Sequence, residues 1–242
     1  MKAETVIDEL TLLRNFEKAE HNQRFFKTGK GEYGENDQFW GISNPDVRKV
    51  AKNHNMLSMG EIDRLIKHPI HEVRFAGLLI LIAHYKKNKA QREAIFDFYL
   101  AHTDYINNWD LVDITAPHIL GDFLYFNPSY RSVLYRLATS KNLWEQRIAV
   151  ISSLGMVRLR EFDDAMRLCE QLLFHPHDLV RKAVGWTLRE VGKKERVLLT
   201  DFLDRYADRM PRTVLRYAIE HFGEEERKDY LSRKDVAKAA NR

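Results

Sequence analysis

Five stretches of this 242-residue chain open a helix in nearly the same way: Glu72-Val73-Arg74-Phe75-Ala76, Leu111-Val112-Asp113-Ile114-Thr115, Gln146-Arg147-Ile148-Ala149, Leu179-Val180-Arg181-Lys182-Ala183 and Leu215-Arg216-Tyr217-Ala218. The central charged residues stand at 74, 113, 147, 181 and 216, so the steps between them are 39, 34, 34 and 35 residues. A period of that size belongs to stacked pairs of helices, each pair too small to bury its apolar face alone. Four repeats place arginine in the slot and one places aspartate, which makes Asp113 the position to inspect for chemistry.

The expected fold is therefore all-α, an α-α solenoid or helical-repeat superhelix. We expect one domain over 1–242, with N-terminal helices and a glycine-rich loop in 1–57, five helical pairs in 58–222 and a tail in 223–242. Helical periodicity predicts a helix over 3–19, a short segment at 22–27, and a helix from 44 to 53 in which Asn44 caps and Pro45 takes the first helical position. First helices of the pairs are expected near 58–67, 90–102, 128–138, 161–174 and 195–206. The second helices fall near 70–85, 108–124, 143–156, 177–192 and 211–222. Ser58 and Glu61 have the spacing of a capping box. In a curved stack the second helices line one surface, and the charged ladder runs along it.

Composition narrows the function. Hydrophobic residues make up 44% of the chain, ample for a core, and the start, Met1-Lys2-Ala3-Glu4-Thr5, lacks the apolar stretch of a signal peptide. With no run of 18 apolar residues, no membrane span is expected, and the location expected is the cytoplasm. Cys169 is the only cysteine, which excludes a disulfide framework and a cysteine-based zinc site. Residues 121–242 hold 23 Lys and Arg against 18 Asp and Glu, and 16 of those cations are arginine. The planar fork of arginine suits phosphate, so a polyanion is the expected partner.

Several motifs have competing readings. Gly29 and Gly34 have the spacing of a phosphate loop, but Glu35-Asn36 follows where lysine and a hydroxyl residue are required, so a surface loop is expected. The pairs His68/His71 and His175/His177 flank Pro69 and Pro176 at one point of the repeat, and a turn role explains them without a metal. Trp109 and Asp113, four apart, share one helical face. Asp113 either pairs with a ladder arginine such as Arg147 while Trp109 packs in the core, or serves a bound polyanion by stabilising a transient cation. Trp186 lies five positions past Arg181, about 140° around the helix, and half-buried packing is its ordinary reading. Lys182 and Arg189 share the basic side of that helix.

Trp109-Asp110-Leu111-Val112-Asp113, Leu143-Trp144-Glu145-Gln146-Arg147 and Lys182-Ala183-Val184-Gly185-Trp186-Thr187-Leu188-Arg189-Glu190, in that order, resemble the AlkD-like DNA alkylation-repair proteins, bacterial glycosylases built from HEAT-like repeats. The similarity runs over nearly the whole chain, from Phe26-Lys27-Thr28-Gly29 to Met210-Pro211-Arg212. The resemblance implies removal of N3- and N7-alkylated purines from duplex DNA, without enclosing the damaged base and without a cofactor or metal, by a monomer at the bacterial nucleoid. It implies that Asp113 is the catalytic carboxylate, that Trp109 and Trp186 are cleft tryptophans, and that Arg147 grips the backbone near the lesion. Arg74, Arg181, Lys182, Arg189 and Arg216 are the further DNA-binding candidates. A DNA binder without excision activity and a protein-binding HEAT scaffold remain as alternatives; the scaffold would show an apolar groove instead of arginines.

Overall fold

The computed structural model describes residues 2–240, with side chains through residue 233, so Met1 and the last two residues of the expected tail lie outside the described residues. The fold is all-α, and among the described residues no strand forms beyond an isolated bridge between Gln38 and Ile70. No described helix is long and apolar enough to cross a membrane. The chain divides into two compact units, residues 2–115 and residues 116–240.

The first unit contains α1 (Ala3–Thr11), α2 (Phe16–Phe25), α3 (Asn44–Asn53), α4 (Met59–Ile66), α5 (His71–Lys87), α6 (Arg92–Ala101) and α7 (Trp109–Thr115). The single helix expected over 3–19 is two helices. Asn15 ends the continuity because its extended backbone lets its side chain accept from the Lys18 amide, the behaviour of an N-cap. The cap of α3 is likewise Ser43 instead of Asn44. The Ser58 box does not close: the Glu61 carboxylate accepts from the Ala3 amide at 2.6 Å, so it caps α1 and ties two helices together. At the centre lies α5, apolar on nearly every side, with Val73, Phe75, Ala76, Leu78, Ile80 and Leu81 all buried. Each of the larger side chains removed from water contributes about 1.5–3 kcal/mol before entropy is counted. Helices α1, α3, α4, α6 and α7 pack around it.

In the second unit, a π-helical turn at Pro117–Gly121 leads into α8 (Asp122–Phe126), followed by α9 (Ser132–Ala138), α10 (Leu143–Arg158), α11 (Asp163–Gln171), α12 (Asp178–Lys194), α13 (Arg196–Tyr206), α14 (Arg212–Ala218) and α15 (Glu224–Ala240). The helix expected over 108–124 is thus divided, and the expected tail forms α15. Pro117 brings no amide hydrogen, and the Gly121 amide reaches back five residues to the Ala116 carbonyl at 2.9 Å. Gly121 has no alternative there, because a Cβ would stand 2.1 Å from the Ser152 carbonyl of α10. Cys169 is fully buried, with its thiol pushed well above the usual range by burial.

Candidate active site

The first unit contains an open cleft of about 600 Å³. Trp109, Asp113 and Ile114 of α7 line one part, Phe25 and Phe26 at the end of α2 line another, and Ile42, Ser43 and Asn44 enter from the start of α3. Trp109 is half-buried and stacks on Phe26 at 5.3 Å, with the exposed Phe25 edge-on at 6.0 Å. Asp113, one helical turn further on, is half-exposed at the same cleft. The cleft also carries Lys18, His21 and Arg48, all exposed. Sequence reasoning missed these side chains because the N-terminal helices lie outside the repeat period.

A buried ionic network supports the entry to α7. Both nitrogens of the His71 ring face carboxylates: Nδ1 lies 2.8 Å from Asp37 and Nε2 2.8 Å from Asp110. Asp37 also accepts from Arg74 at 2.6 Å and from the Asn108 amide at 3.2 Å, while Arg74 donates to Asn107 at 3.1 Å. Burial opposes charge on His71, but the two carboxylates outweigh it and raise the imidazole to about 9. Burial likewise opposes ionisation of Asp37, and the bonds and charges of His71 and Arg74 outweigh it and lower that carboxyl to about 2. Two cations and two anions therefore share one interior site. Glu72, also buried, accepts from the amides of Trp40, Gly41 and Ile42 at 3.0, 2.8 and 3.2 Å, which fixes the wall of the cleft before α3. Gly41 is required in that wall: its φ is +76°, and a Cβ would meet the Asn15 carbonyl at 2.1 Å.

The histidine pairs are not equivalent, contrary to the reading from spacing. His68 and His175 do match, each accepting through Nδ1 from the amide two residues on, at 3.1 Å in both cases. His71, however, corresponds to Asp178, whereas His177 caps α12 by accepting from the Leu179 amide at 3.2 Å. Burial lowers His68, His175 and His177, which favours the neutral rings these acceptor roles need.

The ladder cations are placed unequally. Arg74 is 4% exposed and, besides Asp37 and Asn107, donates to the His68 and Pro69 carbonyls at 3.1 and 3.0 Å. Arg147 is 5% exposed and donates to the Leu179 carbonyl. Both guanidiniums, expected along the charged ladder, are enclosed by the protein and donate to its own carbonyls. Arg181 is half-buried and donates to the His175 carbonyl at 2.6 Å. Lys182 pairs with Asp178 at 2.9 Å, and Arg189 is held by Glu220 and Glu190. Arg216 is exposed. Trp186, in the second unit, is half-buried and donates its indole N–H to Glu190 at 3.2 Å.

The fold has solved counterparts. A protein from Enterococcus faecalis described as a predicted DNA alkylation repair enzyme superposes with a TM-score of 0.68 at 14% identity, over 87% of this chain and 97% of that one. The crystal structure of AlkD2 from Streptococcus mutans superposes with a TM-score of 0.55 at 18% identity, over 92% of this chain and 97% of that one. No curated protein sequence matches the chain at a significant level. The family model described as DNA alkylation repair enzyme matches residues 6–222, and on that extent the chain belongs to this family.

Proposed function

We propose that the chain is a DNA glycosylase that hydrolyses the N-glycosidic bond of N3- and N7-alkylated purines in duplex DNA. The observation that carries this reading is the pairing, on one turn of α7, of the Asp113 carboxylate and the Trp109 indole at an open cleft that also carries Lys18 and Arg48. An alkylated purine already bears positive charge, so it departs as a neutral base with little acid assistance. Positive charge then grows on the deoxyribose. A carboxylate held near that sugar stabilises the transition state by roughly 3–4 kcal/mol, and an indole face adds a weaker attraction for the same cation. Asp113 also serves to orient the attacking water.

Hydrolysis consumes only water, so the reaction requires no redox or group-transfer cofactor. Trp186, in the second unit, enters the proposal on the sequence resemblance alone. Phosphate contacts fall to exposed or half-exposed cations, Arg216, Arg181 and Lys182, with Lys18 and Arg48 at the cleft. Arg74, Arg147 and Arg189 act by holding the protein's own structure. The enzyme works as a monomer on the DNA of a bacterial cytoplasm.

The test is release of 3-methyladenine and 7-methylguanine from methylated duplex DNA. Asp113→Asn preserves size and removes charge, so release should fall by roughly two orders of magnitude or more while DNA affinity persists or rises. Equal rates in wild type and variant remove Asp113 from the chemistry; a wild type that binds DNA and releases no base is a DNA binder of the same family.

A further inference from the structure

Trp109 and Asp113 reach the cleft from the first two turns of α7. Helical propensity does not decide where such a turn points; that is set by the groups packed against it. The residues at its entry show what imposes it. Asn107 accepts from Arg74, Asn108 donates to Asp37, and Asp110 meets the His71 ring. His71 and Arg74 both belong to α5, the central helix of the unit, and Asp37 bonds both.

Such a network is a poor source of bulk stability, because removing four ionic groups from water costs as much as their attractions return. Direction is what it supplies. Each bond has a fixed partner and length, and an apolar contact in its place would leave α7 able to rotate or slide. Aromatic packing extends the same restraint: Phe39 and Phe26 lie 4.4 and 5.2 Å from the His71 ring, and Phe26 stacks on Trp109. Asp110 also borders the cleft, yet its carboxylate is drawn to His71, so the two acidic residues of α7 have different duties.

We propose that Asp37, His71, Arg74 and Asp110 are positioning residues that hold Trp109 and Asp113 at the cleft, with the bond from His71 Nε2 to Asp110 as the link between the central helix and the site. The activity half of this inference rests on the excision reading above; the positional half does not. The charged groups facing the His71 ring are Asp37 from the loop before α3 and Asp110 from α7, with Arg74 beside it on α5.

The indole N–H resonance of Trp109, assigned by its loss in Trp109→Phe, reports the ring's place on Phe26. Asp110→Ala removes the acceptor. It should shift that resonance and slow base release at saturating DNA by at least about tenfold, with affinity changed by no more than about threefold, as expected when a reacting group is misplaced. Asp110→Asn keeps an oxygen that accepts from Nε2 and should restore both resonance and rate. If Asp110→Ala fails to fold, Asp110→Ser, whose hydroxyl falls short of His71, gives the same readout. A Trp109 resonance unmoved in Asp110→Ala, or an Asp110→Asn variant no better than alanine, overturns the proposal. A wild type that releases no base, with a resonance that moves in Asp110→Ala and returns in Asp110→Asn, leaves the positioning network standing and removes the excision reading.

Discussion

The same repeat turn is built twice, once before α5 in the first unit and once before α12 in the second, and the two copies differ in what they do with their polar groups. In both, a histidine before a proline accepts a backbone amide, and the ladder arginine six residues later donates to that histidine's carbonyl. The backbone tie is common property. The position three before the arginine is not: in the first unit it is His71, buried between two carboxylates, and in the second it is Asp178, which bonds Lys182 and Thr213 at the surface. A repeat that only stacks leaves such groups to water, whereas one that must aim a neighbouring helix buries them.

The largest effect that sharpens this contrast is on stability. Arg74→Ala leaves Asp37 and Asp110 facing a single cation in the interior, and a broken buried pair costs about 3–5 kcal/mol. Arg181→Ala removes one tie from a half-buried side chain, for about 1 kcal/mol. Urea unfolding of both variants measures the difference. Equal losses would mean that the two turns are energetically alike and that the buried network contributes nothing of its own.

A smaller effect is expected from pH. His71 rises from 6.5 to about 9 on folding, so its contribution is complete below pH 6.5 and is lost as pH climbs through 9. Asp37 falls from 3.8 to about 2, so its contribution is present above pH 3.8 and is lost as pH falls toward 2. The network is therefore strongest between about pH 4 and 6.5, and its alkaline loss is on the order of 3 kcal/mol. Thermal melts from pH 6 to 10 should decline in wild type and be flatter in His71→Gln. Parallel curves for the two proteins would remove His71 as the source. Asp178, lowered despite partial burial by its bonds to Lys182 and Thr213, adds nothing in that window.

Period and apolar spacing made most of the fold legible before any coordinates. The helix pairs fall within a few residues of the expected spans because each repeat carries its own periodicity and turn residues. The breaks were less visible. A side-chain cap at Asn15 and a π-turn fixed by the approach of Gly121 to α10 depend on partners distant in sequence, which no local pattern records. The site shows the same division. Trp109 and Asp113 announced themselves by spacing and by the replaced arginine. Asp37 and Phe26 lie in segments with no repeat, and spacing to a proline places His71 with the turn histidines because it cannot distinguish a ring that accepts an amide from one that bridges two carboxylates.

The ladder itself provides the last and smallest effect on stability. Sequence spacing treats Arg74, Arg147, Arg181 and Arg216 as one row, but burial grades them, from the enclosed Arg74 and Arg147 through the half-buried Arg181 to the exposed Arg216 near the end of α14. A guanidinium enclosed by the protein and donating to its carbonyls, as in Arg74 and Arg147, has little left for phosphate, whereas one in water can release a counterion when it meets DNA. Arg216→Ala should therefore leave unfolding within about 0.5 kcal/mol of wild type, as for surface positions generally. Its mark should be on binding: the slope of log affinity for duplex DNA against log salt should become shallower by about 0.9 if Arg216 makes one phosphate contact. Arg147→Ala should reverse the pattern, losing stability with the buried bond to the Leu179 carbonyl and leaving the slope of the folded fraction nearly unchanged. An Arg216→Ala variant with wild-type salt dependence would remove Arg216 from the phosphate contacts, which would then pass to Arg181 and Lys182 and to Lys18 and Arg48 at the cleft.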